Sequence, residues 1–127
     1  MKTPIRTRQA PAAIGPYSQA VEQSGLVFCS GQVALDPASD ALVQGGIEFE
    51  TRRALQNLGE VLAAAGLDFV DVVKTTIFVT DLADFEIVNR VYGEHFDPPY
   101  PARSTVQVAA LPRKARIEIE AIAIKRG

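Results

Sequence analysis

The 127-residue chain has one cysteine, one histidine and almost no net charge. Each shortage excludes a class of protein. A lone Cys29 cannot close an internal disulfide, so a stapled secreted scaffold is ruled out. One His and one Cys, far apart, make poor material for a zinc site. Thirteen basic residues against fifteen acidic ones give a net charge of −2, which disfavours a protein held to nucleic acid by bulk charge. No apolar run approaches the length of a bilayer span, so no membrane partner is expected. The opening MKTPIRTRQAP is basic but has no apolar centre and carries two prolines. It is expected to be neither a signal peptide nor a transit helix, and the protein is expected to be cytoplasmic.

What is present suits one folded domain over residues 1–127. Apolar residues make up 47% and charged residues 22%, an ordinary globular balance. A chain of this length can bury a sizeable core. No repeat, low-complexity tract or linker interrupts it.

Periodicity supplies the elements. SGLVFCSGQVAL (24–35) reads as a strand after a turn-rich approach around Gly15-Pro16, and 36–46 reads as a loop. Ile47, Ala54, Leu55, Leu58, Val61, Leu62 and Ala65 recur at helical spacing. Glu48 and Glu50 suit the positive end of that helix, and Gly66 suits its C-terminal stop. Residues 68–81, rich in β-branched side chains, predict a long strand. A second helix over 85–96 is expected to start at an Asp84 cap and to bury Phe85, Val88, Tyr92 and Phe96, before the prolines at 98, 99 and 101 end it. ARSTVQVAAL and ARIEIEAIAIK close the chain as two strands. The expected result is an α+β fold: a mostly antiparallel sheet with two helices on one face.

The last strand sends Ile117, Ile119, Ala121 and Ala123 toward the helices and Glu118, Glu120, Ile122 and Ile124 away from them. Pairing the last two strands as a hairpin around 110–115 predicts that Arg103, Thr105 and Gln107 share the open face with those glutamates. Such a face is too apolar at one end to stay wet, and another subunit is expected to cover it.

Taken singly, the candidate residues have plain structural roles. Tyr17 can be a packing aromatic, Ser30-Gly31 a strand-ending turn, Asn89 a surface amide and His95 a helix-end cation. Cys29 reads as a small buried hydrophobe. Together, Arg103 and Glu118 say more. A guanidinium holds a carboxylate through paired hydrogen bonds, and a partly desolvated glutamate can move a proton to or from water. That combination suits hydrolysis of a small carboxylate-bearing molecule. Binding without catalysis remains open, because the same cleft could sense a small carboxylate.

APAAIGPYSQA, SGQ, VVKTTIFVTDLADF, VN, PARS and RIEIEAIA, in this order and spacing, resemble the reactive-intermediate deaminases, the RidA or YjgF family. The resemblance spans nearly the whole chain. It implies a chorismate-mutase-like homotrimer with clefts between subunits and no cofactor. It also implies hydrolysis of 2-aminoacrylate and related enamines or imines to 2-oxo acids and ammonia. Arg103 matches the family's carboxylate-binding arginine and Glu118 its water-activating glutamate. Tyr17, Ser30, Gly31, Asn89 and Thr105 match positions around the ligand. Thr105 stands where many members carry cysteine; a contact through the backbone amide survives that change, whereas a thiol role does not. Some members carry ribonuclease or translation-inhibiting activity, which this composition disfavours for want of a basic, aromatic surface.

Overall fold

A computed structural model describes residues 1–126, so Gly127, the last residue of the expected domain, lies outside them. Strand β1 (Thr3–Ile5) leads through a long turn-rich segment to β2 (Ala20–Gln23) and β3 (Leu26–Gln32). Short strands β4 (Leu35–Asp36) and β5 (Ala41–Leu42) pair with each other where a loop is expected over 36–46, β4 starting on the last residue of the expected strand. Helix α1 (Ile47–Ala64) precedes β6 (Val72–Val79), α2 (Phe85–Gly93), β7 (Ala102–Gln107) and β8 (Ile117–Ile124). The main sheet runs β1-β2-β3-β8-β6-β7. All its pairs are antiparallel except β6 with β7.

Helix α1 begins and ends much as its sequence dictates. Leu55, Leu58, Val61 and Leu62 are wholly buried, and full burial of such a side chain contributes about 1.5–3 kcal/mol. At the C-terminus Gly66 takes φ +77°, and its N–H bonds Ala63 O while Leu67 N–H bonds Leu62 O. That 6→1 and 5→2 pair satisfies carbonyls the helix leaves open, and a left-handed residue there favours glycine.

Three local expectations shift. The strand expected from 68 starts at Val72, because Asp68 and Asp71 form a capping box around a 3-10 turn over Phe69–Asp71. The cap expected from Asp84 is made one turn earlier, where the Asp81 carboxylate accepts from Ala83 N–H. Phe85 is not buried; it is 37% exposed, at the start of α2.

The larger correction concerns the last two strands. They form no hairpin: β8 lies between β3 and β6, while β7 lies on the far side of β6. β6, α2 and β7 make a strand–helix–strand unit, and the helical crossover returns the chain parallel to its first strand. Pairing with β6 sets the faces. Arg103 lies opposite Thr75 and Thr105 opposite Ile77, and these two partners are fully buried beneath the helices. Arg103 and Thr105 therefore stand on the helix side. Glu118, paired with Phe78 beside Val106, stands on the open side. The face of β8 is as expected, with Ile117, Ile119, Ala121 and Ala123 all in the core. Phe28, Val106 and Ile124 remain substantially exposed on the open face.

Candidate functional site

The residues singled out from sequence fall into two groups on opposite faces. The first surrounds Arg103. Its guanidinium carbon lies 4.9 Å from the centre of the Tyr92 ring and 5.6 Å from that of Phe85, a shelf of two aromatic faces on α2. Such stacking suits arginine, whose planar, weakly hydrated head tolerates partial desolvation. The shelf is itself fixed: Tyr92 Oη and Thr75 Oγ1 are 2.8 Å apart, both in the interior, and Phe96 stacks behind Tyr92 at 4.4 Å. Burial raises the Tyr92 phenol's pKa, while the Thr75 hydrogen bond and the Arg103 charge act against that rise.

Arg103 has no ion-pair partner among the described residues. It opens on a hollow of about 360 Å³ shared with Asn89, Tyr92, Tyr100 and Pro101. The proline-rich stretch that ends α2 builds one wall of it, and Asn89 is exposed at its rim. Thr105 lies one pair further along the same face, and its hydroxyl oxygen is buried without a hydrogen-bond partner.

The second group surrounds Glu118. β3 bulges between Cys29 and Gln32, so that Ser30 and Gly31 bow out of register opposite β8. Bulges of this kind re-aim backbone next to sites. A Cβ on Gly31 would come within 2.6 Å of Glu118 Oε2, so only glycine admits the carboxylate in this position. Ser30 does not face the hollow: its hydroxyl donates to Ser18 O at 2.6 Å and ties the bulge to the loop carrying Tyr17.

That loop is anchored by Gln19, which is 4% exposed, donates to Thr7 O and Pro11 O and accepts from Thr7 N–H. Tyr17, Gly31, Val33, Leu35, Pro112 and Glu118 border a hollow of about 300 Å³. Burial raises the Glu118 pKa, and the neighbouring Glu120 charge raises it further. Asn57, wholly buried on α1, donates to Val33 O and Leu35 O and so fixes the wall behind them.

Sequence reasoning missed both Gln19 and Asn57, since nothing in the pattern distinguishes a satisfied buried amide from a surface one. A wider hollow of about 630 Å³ lies under the N-terminal segment beside Arg6 and Arg8; it shares Tyr17 with the Glu118 hollow but reaches neither Arg103 nor Glu118. The two remaining singled-out side chains are structural. Cys29 is buried, which pushes its thiol up to about 12, and His95 Nδ1 lies 2.9 Å from Val91 O with its ring edge-on to Phe69.

An α+β sheet with two helices on one face, an unpaired arginine in one hollow and a desolvated carboxylate in another define a small-molecule protein with divided functional groups. Comparison with known proteins gives the family. Residues 7–125 match the model described as endoribonuclease L-PSP. The chain is 56% identical over 121 residues to a mouse protein named 2-iminobutanoate/2-iminopropanoate deaminase, covering 95% of this chain and 90% of that one. A putative endoribonuclease from Thermotoga maritima superposes with a TM-score of 0.97 at 52% identity, over the full length of both chains. E. coli TdcF, solved with bound serine, superposes with a TM-score of 0.91 at 42% identity, over 98% of this chain and 99% of that one. The chain belongs to this family, the RidA or YjgF proteins that its motifs resemble.

Proposed function

We propose that this protein is a 2-iminobutanoate/2-iminopropanoate deaminase, hydrolysing reactive 2-imino acids and their enamine tautomers to 2-oxo acids and ammonia. It works as a single domain in a cytoplasmic cyclic trimer. The unpaired Arg103 guanidinium on its aromatic shelf carries this reading: it is a carboxylate anchor without an internal acid to occupy it. Carboxylate-bearing ligands are consistent with the fold, since E. coli TdcF binds serine.

Because Arg103 and Glu118 lie on opposite faces of one sheet, a complete site takes Arg103 from one subunit and Glu118 from the next. A subunit laid on the open face would also cover Phe28, Val106 and Ile124. The chemistry follows from those two side chains. Arg103 holds the carboxylate of the 2-imino acid, with Asn89, the Thr105 backbone amide and Tyr17 around it. Glu118 orients a water and takes its proton as the oxygen bonds to the imine carbon. The C=N electron pair moves to nitrogen, which takes a proton, giving a carbinolamine. That intermediate expels ammonia as its C–O bond becomes the 2-oxo carbonyl. Overall, imino acid and water become 2-oxo acid and ammonia, and no cofactor is required. Orientation and one positioned base suffice for a substrate already prone to hydrolysis, and the base alone typically supplies ~10²–10⁴-fold.

The family description also names RNA cleavage. That reading has less support, because the only imidazole is held against Val91 O and Phe69 and has no acid–base partner of its own kind.

The deciding experiment generates 2-aminoacrylate in situ with a serine dehydratase and follows pyruvate formation. Added protein is expected to speed loss of the imine, and Arg103→Ala to remove the gain while retaining the fold. No acceleration over buffer would overturn the reading, as would full activity in the Arg103 variant.

A further inference from the structure

Ser24, Asp40, Arg113 and Lys114 are the non-glycine residues with positive φ among those described, and two of them, Asp40 and Arg113, border the Glu118 hollow. Arg113 (φ 62°) and Lys114 (φ 59°) are consecutive left-handed residues in the turn Pro112–Lys114 that leads into β8. Asp40 (φ 54°) belongs to the β4–β5 turn, held there by its N–H on Asp36 O at 2.8 Å. The two turns are tied across 73 positions of sequence. The Arg113 guanidinium donates to the backbone carbonyl of Asp40 at 2.7 Å and reaches its carboxylate at 3.4 Å. Asp40, Pro112 and Arg113 all border the hollow that holds Glu118.

Left-handed backbone at side-chain-bearing residues is unfavourable and persists only where surrounding contacts enforce it. The side-chain contact that joins the two turns is largely exposed, and exposed ion pairs contribute little to stability. A weak surface pair holding strained turns over a desolvated carboxylate has little value as a stabiliser. Its consequence is geometric: it fixes the wall that faces Glu118.

We propose that the Asp40–Arg113 tie is a positioning clamp that sets the ligand-binding shape of the Glu118 hollow at the expense of backbone strain. This rests on the deaminase reading for the identity of the ligand. Arg113 and Asp40 act through the turn they hold, not by touching the reacting atoms.

The test is Arg113→Gly, which removes the tie and relieves one left-handed position, beside Arg113→Lys, which keeps the charge and the strain but loses the forked donor. Melting temperature is measured for both, with kcat and KM on 2-iminobutanoate generated in situ and Kd for 2-oxobutanoate by NMR titration. For Arg113→Gly the Tm is expected at or above that of the parent, with KM and Kd raised about 10-fold and kcat within about twofold. Arg113→Lys is expected to show the same KM and Kd rise without the gain in Tm.

Parental KM and Kd in the glycine variant would overturn the clamp, as would full rescue by lysine, which would make charge the agent. A joint fall in Tm, kcat and affinity would reduce it to ordinary structural support and overturn it too. If the parent binds 2-oxobutanoate but turns nothing over, the deaminase reading fails and the Kd comparison alone decides the clamp. If the parent neither binds 2-oxobutanoate nor speeds loss of the imine, both readings are overturned; with turnover but no product binding, the KM comparison decides the clamp.

Discussion

Arg103 and Glu118 leave the same sheet on opposite faces, one in register with Thr75 beneath the helices and the other with Phe78 on the open side. No rotamer change brings them together within a protomer. If they act on one ligand, two protomers supply them. Arg103→Ala and Glu118→Gln proteins, each inactive alone, are then expected to regain activity when unfolded together and refolded as a mixture. In a cyclic trimer assembled at random from equal amounts, about one site in four receives an intact arginine from one neighbour and an intact glutamate from the other. Imine hydrolysis near a quarter of the parental rate confirms a shared site. A mixture as inactive as its components would dismiss one of the two groups from the site.

Gly31 and Glu118 are equally constrained. A methyl group on Gly31 meets Glu118 Oε2 at 2.6 Å, Cδ at 2.7 Å and Cγ at 2.8 Å. The obstacle is a side chain rather than backbone, so the fold can absorb the methyl by swinging the glutamate away. Gly31→Ala is therefore expected to keep Tm within a few degrees while kcat falls about 10²-fold. Added to Glu118→Gln it is expected to lower the rate no further, because both changes remove the same positioned carboxylate. Additive losses would show that Gly31 contributes separately.

Tyr92 has a polar and an aromatic task that mutation can separate. Tyr92→Phe leaves the Thr75 hydroxyl buried without its partner, which costs about 1–3 kcal/mol and lowers Tm by roughly 3–10 °C. The ring beneath Arg103 survives, so KM is expected to stay within about twofold. Adding Thr75→Val removes the orphaned hydroxyl and is expected to recover much of the lost Tm. Tyr92→Leu removes the face under the guanidinium and is expected to raise KM about 2- to 30-fold. Equal KM values for the Phe and Leu variants would dismiss the shelf.

Much of this was legible in the sequence, for identifiable physical reasons. The spacing of Leu55, Leu58, Val61 and Leu62 allows one buried helical face, and Gly66 ends that helix as a left-handed cap. In β8 every isoleucine and alanine from 117 to 123 at odd positions is apolar, so its face was fixed. β7 offers no such guide. Its Arg103-Thr105-Gln107 face is wholly polar and reads as the open one, against the mixed Ala102-Ser104-Val106, yet pairing with the buried Thr75 and Ile77 turns Arg103 and Thr105 toward the helices. Proximity in sequence then favoured a hairpin with β8, whereas α2 between β6 and β7 is the crossover of a parallel pair. Gln19 and Asn57 were silent because their roles lie in backbone groups that only the fold brings within reach.

Glu118 links activity and stability in opposite senses. Burial first, and the Glu120 charge second, raise its folded pKa above the usual 4.5. A raised carboxyl favours folding fully below its unfolded pKa and loses that contribution as pH rises through the folded value, so at neutral pH the ionised group weakens the fold. Glu118→Gln is expected to be inactive yet to melt higher than the parent at pH 7, with the difference vanishing below about pH 4, where the parent glutamate is protonated in both states. In the parent, activity is expected to fall on the acid side at a pH above the ordinary glutamate range. Glu120→Gln removes the like charge and moves that limb downward. Measured pH–rate profiles check the shift. An unmoved limb would mean that some group other than Glu118 takes the proton from water.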